Sequence, residues 1–344
     1  YTCKNKFNIN EKKIILTASD AGWINGHTYA LYGPLSLGAT TILLEKPMIL
    51  LNEDCLRSIL IKLKVNILYL PVTLIRLIKS LNSNLKIKSK HLILLGSMGE
   101  PLSKYVGSWF SSRFSNKKLQ IVNTYFQTET AGIISSPGFK DKVKDVPFGT
   151  VGKQITKHLG TFVDLKNNNN KGEVKIKYPW PGCMISIINK KEAFEVYWDL
   201  NKNFRLFDFG SYDKKKNLLI HGRMDDVINI RGHRIGSAEI ESVILKSHII
   251  KEVCAIDVDS ELSGKELIIF IVKNKNVDTT KIVDNLILNN FGSFALPKET
   301  ILLTELPKTR SGKILRRVLR EIYLDPNTKK ISDLSTIINK NVID

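Results

Sequence analysis

The sequence predicts an α/β chain: a mostly parallel sheet with crossover helices, a small antiparallel module attached to it, and then a compact α+β domain. Three observations predict this. Short apolar runs alternate with helical patterns over the first 150 residues, and strands separated by helices of about 10–15 residues imply a parallel sheet. Near residue 145 the texture turns polar and rich in turn residues, and after Arg223 it changes again into paired strands and amphipathic helices.

Residues 13–17 and 40–45 are apolar runs of strand length. Residues 52–63 carry apolar side chains at helical spacing, and 67–70 form a strand stopped by Pro71. A helix over 72–81, a strand over 91–96, a helix over 104–113 and a strand over 121–124 complete the alternation. In such sheets ligands bind beyond the carboxyl ends of the strands. Two polar motifs fall just there: Gly96-Ser97-Met98-Gly99-Glu100-Pro101 and Tyr125-Phe126-Gln127-Thr128-Glu129-Thr130.

Residues 142–150 are polar with Pro and Gly, 167–170 are four consecutive Asn, and 172–178 alternate as a strand does. The Asn run is a hairpin tip or loop. Beyond Arg223 come an amphipathic helix over 238–247, strands over 253–259 and 266–274, and a helix over 280–290. A strand over 301–305 is ended by Pro307, and a basic helix covers 313–323. The domain boundary is placed near Met224-Asp225, giving segments 1–224 and 225–344. There is no internal repeat.

Composition bounds the function. A chain of 344 residues that is 43% hydrophobic and 25% charged has the make-up of a folded protein with a sizeable core. No stretch reaches the roughly 18 uncharged apolar residues of a membrane span. The opening Tyr1-Thr2-Cys3-Lys4-Asn5-Lys6 lacks the apolar core of a secretory signal, so an intracellular, cytoplasmic protein is expected, with no membrane partner. The net charge of +19 invites a nucleic-acid reading. The basic residues are mostly Lys and are spread along the whole chain, however, so polyanionic small ligands such as nucleotides fit equally well, and no nucleic-acid partner is expected. Cys3, Cys55, Cys183 and Cys254 are widely spaced, without zinc-ligand spacing, and read as reduced thiols.

Four segments carry chemistry. In Gln127-Thr128-Glu129-Thr130-Ala131-Gly132, hydroxyls and an amide offer donors to phosphate oxygens, and the single carboxylate is suited to Mg²⁺. Equally, the Thr residues are caps for a following helix. Asp208, between Phe207 and Phe209, is oddly placed unless it accepts hydrogen bonds, as from ribose hydroxyls; an Asx turn is the alternative. Asn229-Ile230-Arg231-Gly232-His233-Arg234-Ile235-Gly236-Ser237 is a Gly-flanked basic loop opening a helix, which can hold an anion. Ser237 is expected as N-cap, and His233 reads as structural rather than as an acid or base. Finally, Leu306-Pro307-Lys308-Thr309-Arg310-Ser311-Gly312-Lys313 presents Lys313 as a point charge able to meet a carboxylate and a phosphate together; its bland alternative is a solvated basic helix start.

Each signal is weak alone, but their order and spacing are specific. The chain resembles the adenylate-forming acyl-CoA synthetase superfamily, and within it most resembles the AMP-forming acetyl-CoA and propionyl-CoA synthetases. The resemblance begins at Ala18-Ser19-Asp20-Ala21-Gly22-Trp23, continues through Gly26-His27-Thr28-Tyr29 and Tyr32-Gly33-Pro34-Leu35, and includes Trp180-Pro181-Gly182 beside the segments above. It implies the large AMP-binding domain's C-terminal portion followed by a small mobile domain. By this resemblance Gly99, Glu100 and Pro101 lie along adenine and ribose, with Asn123, Thr124, Tyr125, Phe126 and Gln127 also at the nucleotide. Thr128 meets the α-phosphate and Glu129 holds Mg²⁺. Asp208 and Arg223 hold the ribose hydroxyls, Arg234 contacts phosphate, and Gly232 and His233 lie on the loop presented to CoA. Asp225 is the hinge. Lys313 orients carboxylate and ATP and is switched off by acylation, which implies acylating and deacylating enzymes as partners. Trp23, Ile24, Asn25 and Phe126 line the acyl pocket.

The implied activity is a short-chain carboxylate–CoA ligase using ATP, Mg²⁺ and coenzyme A. The alternative is a truncated, non-catalytic relative that still binds AMP or an acyl-adenylate. Several departures stand out. The family's Gly/Ser/Thr-rich phosphate loop falls upstream of residue 1, so the chain resembles the C-terminal half to two-thirds of a synthetase. Phe126 stands where acetate enzymes have Trp, Asn25 where Thr is usual, Arg231 where Ser is usual, and Leu288 at the place of a CoA-contacting Arg.

Overall fold

The apolar runs of the first 125 residues pair side by side in one sheet. In the computed structural model the chain divides into Tyr1–Ile220 and His221–Asp344. The structure describes residues 1–20, 22–100, 102–114, 119–139, 141, 146–155, 160–164, 171–224, 227–230, 233–260, 264–273, 279–308 and 314–326.

In the first unit, α1 (Thr2–Phe7) precedes β1 (Ile14–Thr17), and α2 (Gly33–Ser36) precedes β2 (Thr40–Ile42). Then α3 (Glu53–Lys62), β3 (Ile67–Pro71), α4 (Val72–Leu81), β4 (Leu94–Met98), α5 (Lys104–Ser112) and β5 (Gln120–Asn123) follow. The strands pair in parallel in the order β2-β1-β3-β4-β5. Consecutive residues of a strand enter opposite cores: Ile15, Tyr69 and Leu94 lie in one, with Leu16, Leu68 and Leu95 in the other. That is the period-two alternation of a sheet covered on both faces. Caps place the helices. Asn52 Oδ1 accepts from the Cys55 N–H (3.0 Å) at the start of α3, and Ser103 Oγ accepts from the Val106 N–H (3.3 Å) at the start of α5.

β4 starts three residues later than the apolar run predicts, because its register is set by its neighbour. Leu94 lies opposite Ile67 and Met98 opposite Pro71. Gly96 within β4 answers a close approach: a Cβ there would sit 2.4 Å from the Tyr69 ring.

The antiparallel module begins with β6 (Ser135–Ser136) and β7 (Lys153–Gln154), paired with each other. β8 (Thr161–Asp164), β9 (Lys171–Ile176), α6 (Lys191–Glu195), β10 (Phe204–Tyr212) and β11 (Leu218–Arg223) follow, with sheet order β11-β10-β9-β8. β8 and β9 are antiparallel neighbours; the Asn run between them lies outside the described residues. Lys175 on β9 has a side chain only 7% exposed, and its Nζ meets Asp164 and Asp199 at 2.8 Å each and Glu173 at 3.8 Å. Glu173 is also held by Arg205 at 2.9 Å.

In the second unit, β12 (Val227–Ile230) and β13 (His233–Gly236) form a hairpin that leads into α7 (Ser237–Ile244). β14 (Ile250–Ser260) and β15 (Gly264–Lys273) form a longer one. After α8 (Thr280–Phe291), β16 (Glu299–Leu302) joins β15 in parallel, and α9 (Arg316–Leu324) closes the unit. One face of this sheet buries Ile269 and Ile271 against Ile240, Ile244, Val283 and Ile287; the other buries Ile268 and Phe270 against Leu319. Gly236, not Ser237, is the N-cap of α7, and Ser237 is its buried first residue. α9 starts three residues after the predicted position. A bridge between Lys308 and Ile314, and the Leu315 N–H donated to Pro307 O at 2.9 Å, keep Ile314 and Leu315 out of the helix. No helix among the described residues is long and apolar enough to cross a membrane, and all four cysteines are free thiols. Burial pushes the Cys3 thiol up to about 12, which removes it as a nucleophile.

Candidate active site

The two polar motifs meet at the carboxyl ends of β4 and β5. Directly after β4, Gly99 has φ +86°, a conformation that favours glycine and turns the chain away from the sheet. Glu100 follows, half-buried, and pairs with Arg76 of α4 at 2.6 Å. Pro101 lies outside the described residues. Asn123 and Thr124, at the end of β5, are buried, and their side chains bond within the protein. Asn123 accepts from Ser97 Oγ (2.9 Å) and donates to Thr150 O (2.9 Å). Thr124 Oγ1 donates to Ser97 O (2.8 Å), which leaves the Tyr69 hydroxyl to donate to Thr124 (2.6 Å). These two residues fix the strand ends from which the next residues project.

Asp208 reaches this loop through an irregularity in β10. Arg205 lies opposite Lys175 and Phe209 opposite Glu173, so Leu206, Phe207 and Asp208 together face only Val174. A bulge of this kind re-aims side chains. Phe207 sits at φ +52° within it, an outlier for a bulky residue. Its ring packs edge-on to Tyr197 (5.2 Å) and beneath the Arg205 guanidinium (4.5 Å), which hold it there. The result is an Asp208 carboxylate only 5% exposed. Its Oδ2 accepts from both the Tyr125 hydroxyl and the Gln127 amide. The Gln127 amide also donates to Leu206 O at 2.6 Å, so both of its protons are used on the bulge. Residues far apart in sequence thus present one oriented carboxylate at the end of β5.

Next along the loop, Thr128–Thr130 form a 3₁₀ turn. Thr128 is exposed. Glu129 is half-buried and accepts from the Tyr197 hydroxyl at 3.0 Å. One carboxylate beside an exposed hydroxyl is a hard-oxygen set that fits Mg²⁺, which takes one or two carboxylates with waters and phosphates. The turn is braced from behind by Trp180, whose indole N–H donates to Thr130 O at 2.9 Å, and a Cβ at Gly132 would lie 3.0 Å from that ring.

The segment 23–32 packs against the same loop. Trp23 is exposed, Ile24 half-buried and Asn25 buried. Gly26–Tyr32 form a π-helix, a form found often at functional sites. Thr28 Oγ1 donates to Ala131 O (2.7 Å), and the Tyr29 hydroxyl accepts from the Ile133 N–H (2.7 Å). The Tyr29 ring lies against Phe126, Tyr69 and Phe7 at 5.6, 5.6 and 5.7 Å.

The remaining predicted residues belong to the second unit. Arg223 ends β11 and is half-buried. His233 is exposed, its ring stacked on Phe294 at 4.0 Å. Arg234 pairs with Asn229 through the β13 backbone; its side chain lies outside the described residues, as do Asp225, Arg231, Gly232 and Lys313. Glu241 receives Arg316 on both oxygens at 2.7 Å and the Ala255 N–H at 2.9 Å, a structural use of the carboxylate.

Sequence reasoning missed Arg76, Tyr197 and Tyr69 as supports. Nothing local marks them, because each acts through a partner distant in the chain. The odd setting of Asp208 between two Phe was the one local signal that led to the bulge.

Comparison with known proteins gives the family. Residues 1–184 match the AMP-binding enzyme family, and residues 239–313 match the AMP-binding enzyme C-terminal domain. Acetyl-coenzyme A synthetase 1 of Candida albicans is 33% identical over 358 residues, covering 99% of this chain and 53% of that protein. Acetyl-coenzyme A synthetase of Vibrio parahaemolyticus is 32% identical over 356 residues, covering 100% and 54%. The chain therefore spans about half the length of the curated relatives it matches. Among solved structures, ATP-bound MatB from Rhodopseudomonas palustris superposes with a TM-score of 0.79 at 19% identity, covering 95% of this chain and 63% of that one. A benzoate CoA ligase from Burkholderia xenovorans gives 0.76 at 21% identity, covering 92% and 63%. With more than half its length matched by the family model and the carboxyl ends of its parallel strands built as described, the chain belongs to the AMP-binding enzyme family.

Proposed function

We propose that this chain is the C-terminal part of an AMP-forming acid–thiol ligase that joins a short carboxylic acid to coenzyme A. Residues 1–224 would be part of its large domain and 225–344 its small mobile domain, hinged at Asp225. The observation that carries the reading is the buried Asp208 carboxylate, oriented by Tyr125 and Gln127 at the start of the Thr128–Glu129 turn. A fixed anionic acceptor suits ribose hydroxyls, and the adjoining hydroxyl and carboxylate suit a nucleotide's phosphate and its cation.

In the first half-reaction an oxygen of the acid attacks the α-phosphorus of ATP, forming an acyl–phosphate bond as pyrophosphate leaves. In the second, the CoA sulfur attacks the acyl carbon and AMP departs with the bonding pair. The first step brings two anions together, so preorganised positive charge must offset their repulsion. Lys313 and Arg234 are the cations this reading assigns to that task, and acylation of Lys313 would remove one of them. Glu129 would hold Mg²⁺, which supplies charge neutralisation on the phosphates, and the Thr128 hydroxyl would meet the α-phosphate. Gly99, Glu100, Pro101 and Arg223 would flank the nucleoside, and Gly232 and His233 the CoA. Trp23, Ile24, Asn25 and Phe126 would line the acyl site. Phe in place of Trp leaves room for an acid larger than acetate. ATP and CoA as substrates go with a cytoplasmic setting.

Acid-dependent exchange of labelled pyrophosphate into ATP by the 344-residue chain, with acetate, propionate and butyrate in parallel, tests the reading. The expected result is exchange that depends on acid and Mg²⁺. A chain that neither exchanges nor binds AMP would overturn it.

A further inference from the structure

Glu129 is a half-buried carboxylate with no Lys or Arg on it among the described residues. Two other carboxylates of the same unit are treated differently: Glu173 holds Arg205 and Asp199 holds Lys175. Glu129 receives a neutral donor instead, the Tyr197 hydroxyl, on Oε1 at 3.0 Å. Its backbone is fixed as well. The Met184 N–H donates to Glu129 O at 2.8 Å, and the Trp180 indole N–H donates to Thr130 O at 2.9 Å. An ionised carboxylate offers about four acceptor sites, and a single phenol leaves its charge uncompensated. Such a group is held ready for a cation.

Tyr197 also supports the other carboxylate of the site. Its ring stands edge-on to Phe207 at 5.2 Å. Phe207, at φ +52°, lies in the bulge that brings Asp208 to the loop. The tyrosine is itself tied down at three points. Its N–H donates to Phe194 O at 3.1 Å, its carbonyl accepts from the Arg205 N–H at 2.8 Å, and its ring stacks on the buried Phe204 at 5.8 Å. One fixed side chain therefore meets Glu129 through its hydroxyl and backs Asp208 through its ring.

We infer that Tyr197 is a positioning residue with two separable parts: the hydroxyl aims Glu129 at the cation, and the ring aims Asp208 at the nucleotide. The inference rests on the proposed nucleotide site and adds to it the group that sets both carboxylates. A donor behind a metal-facing carboxylate fixes its orientation, and losing such a donor typically costs about 10- to 100-fold in metal affinity. The ring acts differently. An aromatic pair stabilises beyond simple burial, and here it secures a backbone conformation that a bulky residue rarely adopts.

Calorimetry on the 344-residue chain tests both parts without turnover. AMP without metal probes the nucleoside contact, and ATP titrated over a series of Mg²⁺ concentrations probes the cation. Tyr197→Phe keeps the ring and removes the hydroxyl. It is expected to raise the Mg²⁺ concentration for half-maximal ATP binding by at least about tenfold. AMP affinity should stay within about twofold of the parent, the span of an ordinary surface change. Phe207→Leu should do the reverse, weakening AMP at least about threefold while leaving the Mg²⁺ requirement in place. If Phe207→Leu does not fold, Tyr197→Leu takes its place and should weaken both ligands, AMP by the same factor. A merely structural tyrosine would give losses of equal size for AMP and for Mg²⁺ in Tyr197→Phe, and that result overturns the inference. An unchanged Mg²⁺ requirement in Tyr197→Phe, or unchanged AMP affinity in the ring variant, overturns it too. In each of these cases a parent that binds both ligands keeps the nucleotide site. A parent that binds neither removes the site on which both readings stand.

Discussion

Tyr125→Phe removes one oxygen and nothing else from the candidate site. The ring volume is kept, so no cavity forms, and the only bond lost among those described is the one donated to Asp208 Oδ2. Both partners are buried, 8% and 5% exposed. A hydrogen bond to a charged group contributes about 1.5–3 kcal/mol. Gln127 stays on the same oxygen, which keeps the carboxylate from being orphaned and puts the expected loss near the lower end, about 1.5 kcal/mol. Urea unfolding followed by tryptophan fluorescence reads this directly, since all four tryptophans (Trp23, Trp109, Trp180 and Trp198) lie before residue 221 and report the unit that holds the site. AMP affinity is the second readout. With one of the two donors described on it gone, Asp208, in its proposed role, should hold the nucleotide up to about tenfold more weakly, the equivalent of roughly 1.4 kcal/mol. A variant within about 0.5 kcal/mol of the parent, the range of an ordinary surface change, and with unchanged AMP affinity would refute the idea that the hydroxyl orients this carboxylate.

Two further outcomes follow from the same geometry. Lys175→Met should cost about 3 kcal/mol, the low end for breaking a buried ion pair, because Asp164 and Asp199 are exposed enough to regain water. Burial pushes the Asp199 carboxyl up, but the bonds from Lys175 and Asn203 outweigh it and hold the group well below the usual carboxylate range. Its contribution is therefore present above the ordinary carboxylate pKa and lost as pH falls towards the depressed one. Unfolding free energies at pH 7, 5 and 4 should fall less steeply in the variant than in the parent; equal slopes count against the assignment. Glu129→Gln should raise the Mg²⁺ concentration for half-maximal exchange by about 10- to 100-fold with little effect on AMP binding, and an unchanged Mg²⁺ requirement would remove Glu129 as the metal-facing group.

The parallel sheet was legible in the sequence because a strand buried on both faces is a continuous apolar run. Ile67–Leu70 is one, and each neighbour follows at crossover spacing. Strand ends were less so. β4 and β16 are cut by the register of their partners, information held by another part of the chain. Residue types at the site were legible where hydroxyl, amide and carboxylate cluster after a strand. Their connections were not: Tyr125 and Gln127 reach Asp208 across more than 80 residues, and no local pattern carries such a pairing. The π-helix at Gly26–Tyr32 was equally hidden, since its insertion depends on bonds from Thr17, Ile133 and Thr41 rather than on its own side-chain spacing.

The aromatic stack behind that π-helix has a consequence for how the proposed acyl site would change over time. Phe126 rests on Tyr29, Tyr29 on both Tyr69 and Phe7, and Phe7 belongs to the first helix of the chain. Close-packed rings leave no slack, so the position of Phe126 is decided jointly by side chains well behind it. If Phe126 lines the acyl site as proposed, selection on acid size would act through α1 or β3 as readily as through Phe126 itself. On that reading, a lineage that changed Phe7 or Tyr69 would be retuning its acid preference while the residues proposed to line the acyl site stayed the same.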